Sequence, residues 1–355
     1  MTNYFRITNS KGKVWIMPNR HMKVGMLLYQ PSGWKGKMLK KFLPLFHQIK
    51  FIRKCLHISE CSCPVDNALS NLLKHIFNVE TLEYSWFGGT PNKHQKITIQ
   101  IFDGEKILGY CKLTSSSTVY DLFKKEQNYL LWLKDRNVRN VPVCLYCGIL
   151  DRNQFVFVQS TEKTLSSTVN HTLGTTELSF LSIMEKKTKQ RMAYIDSDQY
   201  KSVERMKSCI GHLNASYSET VMSLIRNIED YYSSNRECFF AAYHSDFTPW
   251  NMFVEKEHLF VFDFEYAQRS YMPFLDIFHY IFQTEIFEKK WSAYRIYANL
   301  IESKNKFEKY FDNYLIAISL YLIDVIGFYL ERDCGIIDKQ QEIRLNVATL
   351  IVGKK

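Results

Sequence analysis

Not one acidic residue precedes Glu60, although twelve lysines and arginines do. The 355-residue chain has a formal net charge of +10, and its other 34 basic residues face 36 acidic ones, so the whole excess sits in the first 59 positions. A cysteine framework is also missing. The nine cysteines are an odd number without regular spacing, which argues against a disulfide-stapled secreted domain and for a reducing cytoplasm. No apolar run follows Met1, which speaks against a secretory signal. The longest apolar stretch, 314–330, is broken by Ser319, Asp324 and Gly327. A carboxylate in mid-span is costly in lipid, so this stretch reads as a buried helix. No internal repeat, long low-complexity segment or disordered tail is present, which excludes solenoid architectures. Standard metal spacings are absent too. His47, Cys55, His57, Cys61 and Cys63 match no usual zinc pairing, and Cys144-x-x-Cys147 lies in a run that reads as a buried strand.

What is present is an ordinary globular composition, 46% apolar and 23% charged, on a length that suits a two-lobed body. Residues 13–17 form a strand-like piece between turn-rich flanks. From 35 to 56 the pattern turns helical: Met38, Phe42, Leu45, Ile49 and Ile52 share a face, while Lys37, Lys40, Lys41, Lys50, Arg53 and Lys54 crowd the rest. Pro44 kinks this helix or starts it. Such a helix either packs on the body with its lysines in water or lies on an anionic membrane surface. A mitochondrial transit peptide fits less well, because Lys outnumbers Arg and Ser is sparse.

Residues 66–77 read as a helix capped by Asp66. Strands follow at 82–86, 97–102 and 107–113, then a helix at 118–135, then strands at 141–150 and 154–158. Beyond the connector 159–164 the chain reads as mostly helical, with helices at 179–187 and 199–232 (the latter broken near Gly211) and two or three more after Pro273.

The most informative segment starts at His244. It runs His-Ser-Asp-Phe-Thr-Pro-Trp-Asn251, then a strand-like 259–262, then Asp263-Phe-Glu. Asp246, Asn251 and Asp263 thereby lie on two short loops that flank a hairpin. Phosphoryl transfer from ATP needs a carboxylate beside the attacking hydroxyl, and oxygen ligands from a carboxamide and a second carboxylate to hold magnesium on the phosphates. An Asp, an Asn five residues later and an Asp twelve beyond that supply the set.

The segment resembles the catalytic and metal-binding loops of the aminoglycoside phosphotransferase and choline kinase superfamily, small-molecule relatives of protein kinases. Asp263-Phe-Glu-Tyr-Ala267 is particularly similar to the metal loop of choline and ethanolamine kinases. The resemblance implies an α+β, bilobal, protein-kinase-like fold: a basic extension over 1–60 with an amphipathic helix, a small antiparallel-sheet N-lobe with one main helix over 61–160, and a larger, mostly helical C-lobe over 161–355. It implies ATP and Mg²⁺ as cofactors. Asp246 would then be the catalytic base or the group that orients the acceptor, with His244 bracing its loop. Asn251 and Asp263 would be the magnesium ligands, and Asp276 a structural carboxylate. The family usually has Gly where this chain has Ser245.

Within that frame, Lys112 and Glu126, fourteen residues apart, are the candidate ion pair for the α- and β-phosphates, with Lys106 as the rival lysine. Gly88 and Gly89 are candidates for a nucleotide-covering loop, or simply a turn. The connector 159–164 would meet the adenine edge. Glu265 and Arg269 face either the acceptor and phosphates or a surface salt bridge. The expected function is ATP- and magnesium-dependent phosphorylation of a small-molecule hydroxyl, by a cytoplasmic protein or one peripheral to the inner membrane face through 35–56. The first choice of acceptor is a saccharide, including a lipid-linked glycan of a bacterial surface polysaccharide pathway. Choline, ethanolamine or aminoglycoside kinases are the enzymatic alternatives, and a nucleotide-binding pseudokinase or partner-binding module is the alternative of another class. Trp15, Trp34 and several Phe offer stacking groups for nucleic acid, but no base-reading motif accompanies them.

Overall fold

An antiparallel sheet of eight strands organises the first half of the computed structural model. The strands are β1 Tyr4–Thr8, β2 Val14–Pro18, β3 Ser59–Cys61, β4 Glu83–Phe87, β5 Ile97–Asp103, β6 Lys106–Thr114, β7 Cys144–Asp151 and β8 Gln154–Ser160. Their order across the sheet is β3-β1-β2-β4-β5-β6-β8-β7. The structure describes residues 4–10, 12–31, 33–89, 95–151, 153–233 and 237–353. Two compact units result: 1–135, 139–169 and 252–265 in one, and 136–138, 170–251 and 266–355 in the other.

In the first unit the two faces of the sheet are covered differently. Helix α4, Asn67–Phe77 in the numbering that starts with α1 Met22–Gly25, α2 Trp34–Phe46 and α3 Lys50–Cys55, presses Leu69 and Leu73 onto Ile99, Ile101, Cys111, Val156 and Val158. The Asp66 carboxylate caps α4 by accepting from the Leu69 N–H at 2.8 Å, and Asn78 ends it in a left-handed conformation. Helix α5, Ser117–Asp135, buries Val119, Phe123, Glu126, Leu130 and Leu133. Phe123 meets Phe157 of β8. Because side chains alternate along a strand, Cys111 and Leu113 join the α4 cluster while Lys112 between them is aimed the other way.

The first 61 residues contribute three strands to this sheet. Residues 4–8, not recognised as a strand from the sequence, pair with 14–18, and β2 in turn joins β4. Phe5, Ile7, Trp15 and Met17 form a core with Leu43, and Leu39 packs against it. The expected single helix over 35–56 is two, and Pro44 falls in the last turn of α2, which ends at Phe46. Leu43 of α2 is buried and Leu39 partly so; Met38, Phe42 and Leu45, expected to share one face, are exposed. Cys144 and Cys147 lie on the edge strand β7 and are half-buried, a correction to the buried-strand reading.

Residues 252–265 group with the sheet. Met252–Glu255 and His258–Val261 pair as a hairpin whose turn residues, Lys256 and Glu257, both have positive φ, the geometry of a two-residue hairpin loop. Val254 exchanges backbone hydrogen bonds with Thr168 at 3.0 and 2.8 Å, and Val261 N–H donates to the Asn140 carbonyl. The Glu255 carboxylate accepts from the Thr164 and Ser167 hydroxyls at 2.7 and 2.6 Å. The Thr164, Ser167 and Thr168 bonds attach the hairpin to the connector after β8, and the Asn140 bond attaches it to the loop before β7.

The second unit is helical around a three-stranded sheet of β9 Gln190–Ala193, β10 Glu237–Tyr243 and a strand at Gln268–Tyr271. Its helices are α6 Thr175–Thr188, α7 Asp198–Cys209, α8 Ala215–Tyr232, α9 Asp276–Gln283, α10 Ala293–Glu302, α11 Lys304–Phe307, α12 Tyr314–Arg332 and α13 Lys339–Val352. The break near Gly211 is a 3-10 turn followed by an Asn214 cap on α8. Among the described residues, five α-helices follow Pro273, not two or three. Asn313 and Asp338 each start one by accepting from backbone N–H groups, and Gly335, at φ +82°, closes the turn before the last. Among the described residues, α12 is the one helix long and apolar enough to cross a membrane, and 78% of its apolar window is buried. Its Asp324 pairs with Arg205 at 2.7 Å and accepts from the Tyr271 hydroxyl at 2.9 Å.

Candidate active site

The first unit holds a closed network of two ammonium groups and three carboxylates. Lys112 Nζ lies 2.6 Å from Glu126 Oε2 and 2.6 Å from Asp263 Oδ1. Lys96 Nζ lies 2.5 Å from Glu265 Oε2 and 3.3 Å from Asp263 Oδ1. The second oxygen of Glu126 accepts from the Phe264 N–H at 3.2 Å, which ties α5 to the loop after the hairpin. Asp263 itself takes φ +69°. Burial alone would raise the Asp263 carboxyl, but the Lys112 and Lys96 ammonium groups outweigh it and hold the group well below the usual carboxylate range. Both lysines are correspondingly held charged: burial opposes this, and Asp263 with its neighbouring carboxylates prevails. Oxygens of Glu126, Asp263 and Glu265 lie within 4.8 Å of one another. Hard divalent cations such as magnesium take carboxylate oxygens; Glu126 and Glu265 are each paired with a lysine, and Asp263 is the most exposed of the three.

The second unit builds the other group of residues. From β10 the chain enters a loop clamped by Asp276, which leads α9. Its carboxylate accepts from the N–H of buried His244 at 2.9 Å and of Ser245 at 3.1 Å. Burial pushes Asp276 up to about 7 against the pull of those two bonds. Ser245 has φ +69°, the left-handed region glycine enters without strain, which explains why a family with this loop uses Gly there. His244 Nδ1 accepts from the Asp246 N–H at 3.2 Å.

Asp246 is held by both carboxylate oxygens. Asn251 Nδ2 donates to Oδ2 at 2.7 Å and to the Asp246 carbonyl at 3.1 Å, and His279 Nε2 lies 3.2 Å from Oδ1. This use of the Asn251 nitrogen leaves its carbonyl oxygen as the atom suited to a metal. A cavity of about 90 Å³ opens beside the loop, lined by Ser245, Asp246, Tyr266, His279, Phe328 and Arg332 among others. The Arg332 guanidinium stacks over Phe328 and Tyr329, at 5.6 and 4.5 Å from the ring centroids.

Of the residues expected from the sequence, Lys112, Glu126 and Asp263 thus meet in one unit, and His244, Asp246, Asn251 and Asp276 in the other. Lys106 is exposed at the start of β6, so the rival lysine drops out. Gly88 donates its N–H to Val14 and its carbonyl accepts from Gln95, so that N–H is already engaged. Gly89, at φ +77°, packs so closely that a Cβ would collide with the Lys96 carbonyl. Residues 90–94 of that loop lie outside the described residues. Glu265 joins the Lys96 network, whereas Arg269 is exposed on its strand, with its N–H donating to Asp198 at 3.1 Å.

Lys96 and His279 were not singled out from the sequence. His279, three residues after Asp276 on α9, had a helical-spacing signal; Lys96 precedes β5 and had none. Burial pushes the Cys144 and Cys147 thiols up to about 12 and about 11, the reverse of a redox pair. The His47 ring is engaged by the Pro44 and Asn19 carbonyls, and no zinc-type cluster forms among the described residues.

No family model and no curated protein matches the sequence. Solved structures do match. The chain is similar to a thermostable mutant of the aminoglycoside phosphotransferase APH(4)-Ia in a ternary complex with ADP and hygromycin B, with a TM-score of 0.55 at 10% identity over 81% of this chain and 98% of that one. It is likewise similar to APH(4)-Ia itself, with a TM-score of 0.53 at 10% identity over 81% and 98%. The chain therefore has the fold of the aminoglycoside phosphotransferases, the protein-kinase-like architecture that its 244–251 and 263–267 segments resemble.

Proposed function

We propose that this protein is an ATP- and magnesium-dependent phosphotransferase acting on a hydroxyl of a small molecule, with a saccharide as the acceptor. The observation that carries the reading is Asp246: a half-exposed carboxylate fixed on both oxygens at the wall of a polar, aromatic cavity. A carboxylate so fixed can orient an acceptor hydroxyl and take its proton late in transfer. Magnesium, held by Asn251 and Asp263, would supply charge neutralisation on the phosphates. Lys112, positioned by Glu126, would hold the α- and β-phosphates. Transfer is in line to the acceptor oxygen, and no covalent enzyme intermediate is needed. The similar fold of APH(4)-Ia holds ADP and hygromycin B in its ternary complex, which supports a nucleotide with a small-molecule acceptor.

Two features favour a saccharide over choline or ethanolamine. Tyr266 at the cavity gives an aromatic ring for the C–H side of a sugar, and the Arg332 guanidinium over Phe328 and Tyr329 gives donors for its hydroxyls. An aromatic ring and the Asp246 carboxylate would also suit an ammonium, so the guanidinium, itself paired with Asp333, is what tilts the choice to a saccharide. A lipid-linked glycan of a bacterial surface polysaccharide is the narrower reading, supported by the basic first 59 residues. The test is transfer of label from γ-labelled ATP to panels of sugars and amino alcohols. Labelled sugar phosphates support the assignment; labelled choline or ethanolamine alone overturns it. Nucleotide binding without transfer to any acceptor would return the pseudokinase.

A further inference from the structure

Helices α2 and α3 are anchored by one side and leave a large apolar side in solvent. Leu39 and Leu43 seat α2 on the β1–β2 core. Buried Arg53 fixes α3 by donating to the His47 and Gln48 carbonyls at 2.8 and 3.0 Å and to Glu60 at 2.8 Å. Trp34, Met38, Phe42 and Leu45, spaced four, four and three residues apart, share a different stripe of α2 and are all exposed. Trp34 is 71% exposed, Leu45 70%, and Phe51 of α3 74%. Of 22 large apolar side chains exposed among the described residues, eight lie between 34 and 56. Single exposed apolar residues are ordinary on a protein surface; a concentration like this marks an interaction site.

The charge around the stripe identifies the partner. Lys35, Lys37, Lys41, Lys50 and Lys54 are exposed on the same two helices, and no acidic residue precedes Glu60. Burial lowers the basicity of Lys40, and burial together with the Lys40 charge lowers that of Lys163, so two further ammonium groups lie close together beside these helices. Protein–protein interfaces are depleted of lysine, whereas helices that lie on anionic bilayers combine Trp, Phe and Leu with a lysine-rich flank.

We propose that α2 and α3 dock this protein onto an anionic lipid bilayer, with Trp34, Phe42, Leu45 and Phe51 inserted at the headgroup boundary and the lysines over the phosphates. This stands independently of the phosphotransfer reading and goes beyond it by naming a surface at which the protein works. The test uses the intact chain, sedimented with phosphatidylcholine vesicles with and without phosphatidylglycerol. Binding is expected with the anionic vesicles only, and added salt weakens it. Two variants replace exposed side chains, so folding is preserved and melting serves as the control: Trp34→Ser/Leu45→Ser/Phe51→Ser and Lys37→Glu/Lys41→Glu/Lys54→Glu. Each should lower vesicle affinity by roughly tenfold or more. The proposal is overturned if the intact protein stays in the supernatant with both vesicle types, if neutral and anionic vesicles bind it equally, or if either variant binds like the parent. A concentration-dependent dimer that the Ser variant abolishes, without vesicle binding, would assign the stripe to a second copy and overturn it too.

Discussion

Ser245 shows how a single backbone angle shapes the loop. At φ +69° a serine carries strain that glycine would not, while its N–H is needed by Asp276. Ser245→Gly is therefore expected to raise unfolding stability by about 0.5–1 kcal/mol, read by denaturant melts; a loss of stability would mean that the hydroxyl makes a compensating contact. His279 is a positioning residue in this account, since it touches Asp246 and lies at the cavity wall. His279→Leu should lower kcat roughly ten- to a hundredfold with little change in KM for ATP, because it frees the base without touching the phosphate groups. An equal rise in KM for ATP would assign His279 elsewhere. Asp246, Asn251 and Asp263 stood out as candidates in the sequence because phosphoryl transfer demands a carboxylate, a carboxamide and a second carboxylate, and these three flank a hairpin. Lys96 was not: its approach to Glu265 and Asp263 bridges residues far apart in sequence, and no periodicity announces such a contact.

Helices and strands with caps or strict alternation were read close to their true limits. Asp66 marks the start of α4 and Asn78 its end, and 107–113 lies inside the observed β6. The segments that departed from expectation did so for local reasons. Residues 4–8 are short and acquire strand character by pairing with 14–18 and 59–61, partners the sequence does not announce. Between 34 and 56 the apolar residues outnumber those one buried seam can take, so periodicity showed a helix but not which residues face the sheet.

Glu285, in the turn of π-helix after α9, brings a pH dependence at this scale. Burial pushes its carboxyl up to about 7 despite Lys289, and its Oε2 has no hydrogen-bond partner. A carboxyl raised from its unfolded value of about 4 contributes stability that is complete below about pH 4 and lost as pH rises through about 7. Glu285→Gln keeps the acceptor for Asn299 and cannot ionise. It should unfold about 1–2 kcal/mol later than the parent at pH 8 and like the parent at pH 4, compared by melts at the two values. A variant equally shifted at both would show that the gain is not ionisation.

At the scale of the whole molecule, the chain divides so that Lys112, Glu126 and Asp263 belong to one unit and His244, Asp246, Asn251 and Asp276 to the other. The fold is one in which APH(4)-Ia carries ADP and hygromycin B. The proposed chemistry draws on both groups, so losing either should silence transfer while leaving the other unit's bonds intact. The most direct measurement is magnesium-dependent transfer of the γ-phosphoryl group from ATP, compared for the parent, Asp246→Asn and Asp263→Asn. Transfer by the parent is expected, abolished by chelation of magnesium, with a fall of about 10²–10⁴ in rate for Asp246→Asn and Asp263→Asn at least as impaired. Transfer that persists at the parental rate in either variant, or survives removal of magnesium, would contradict it.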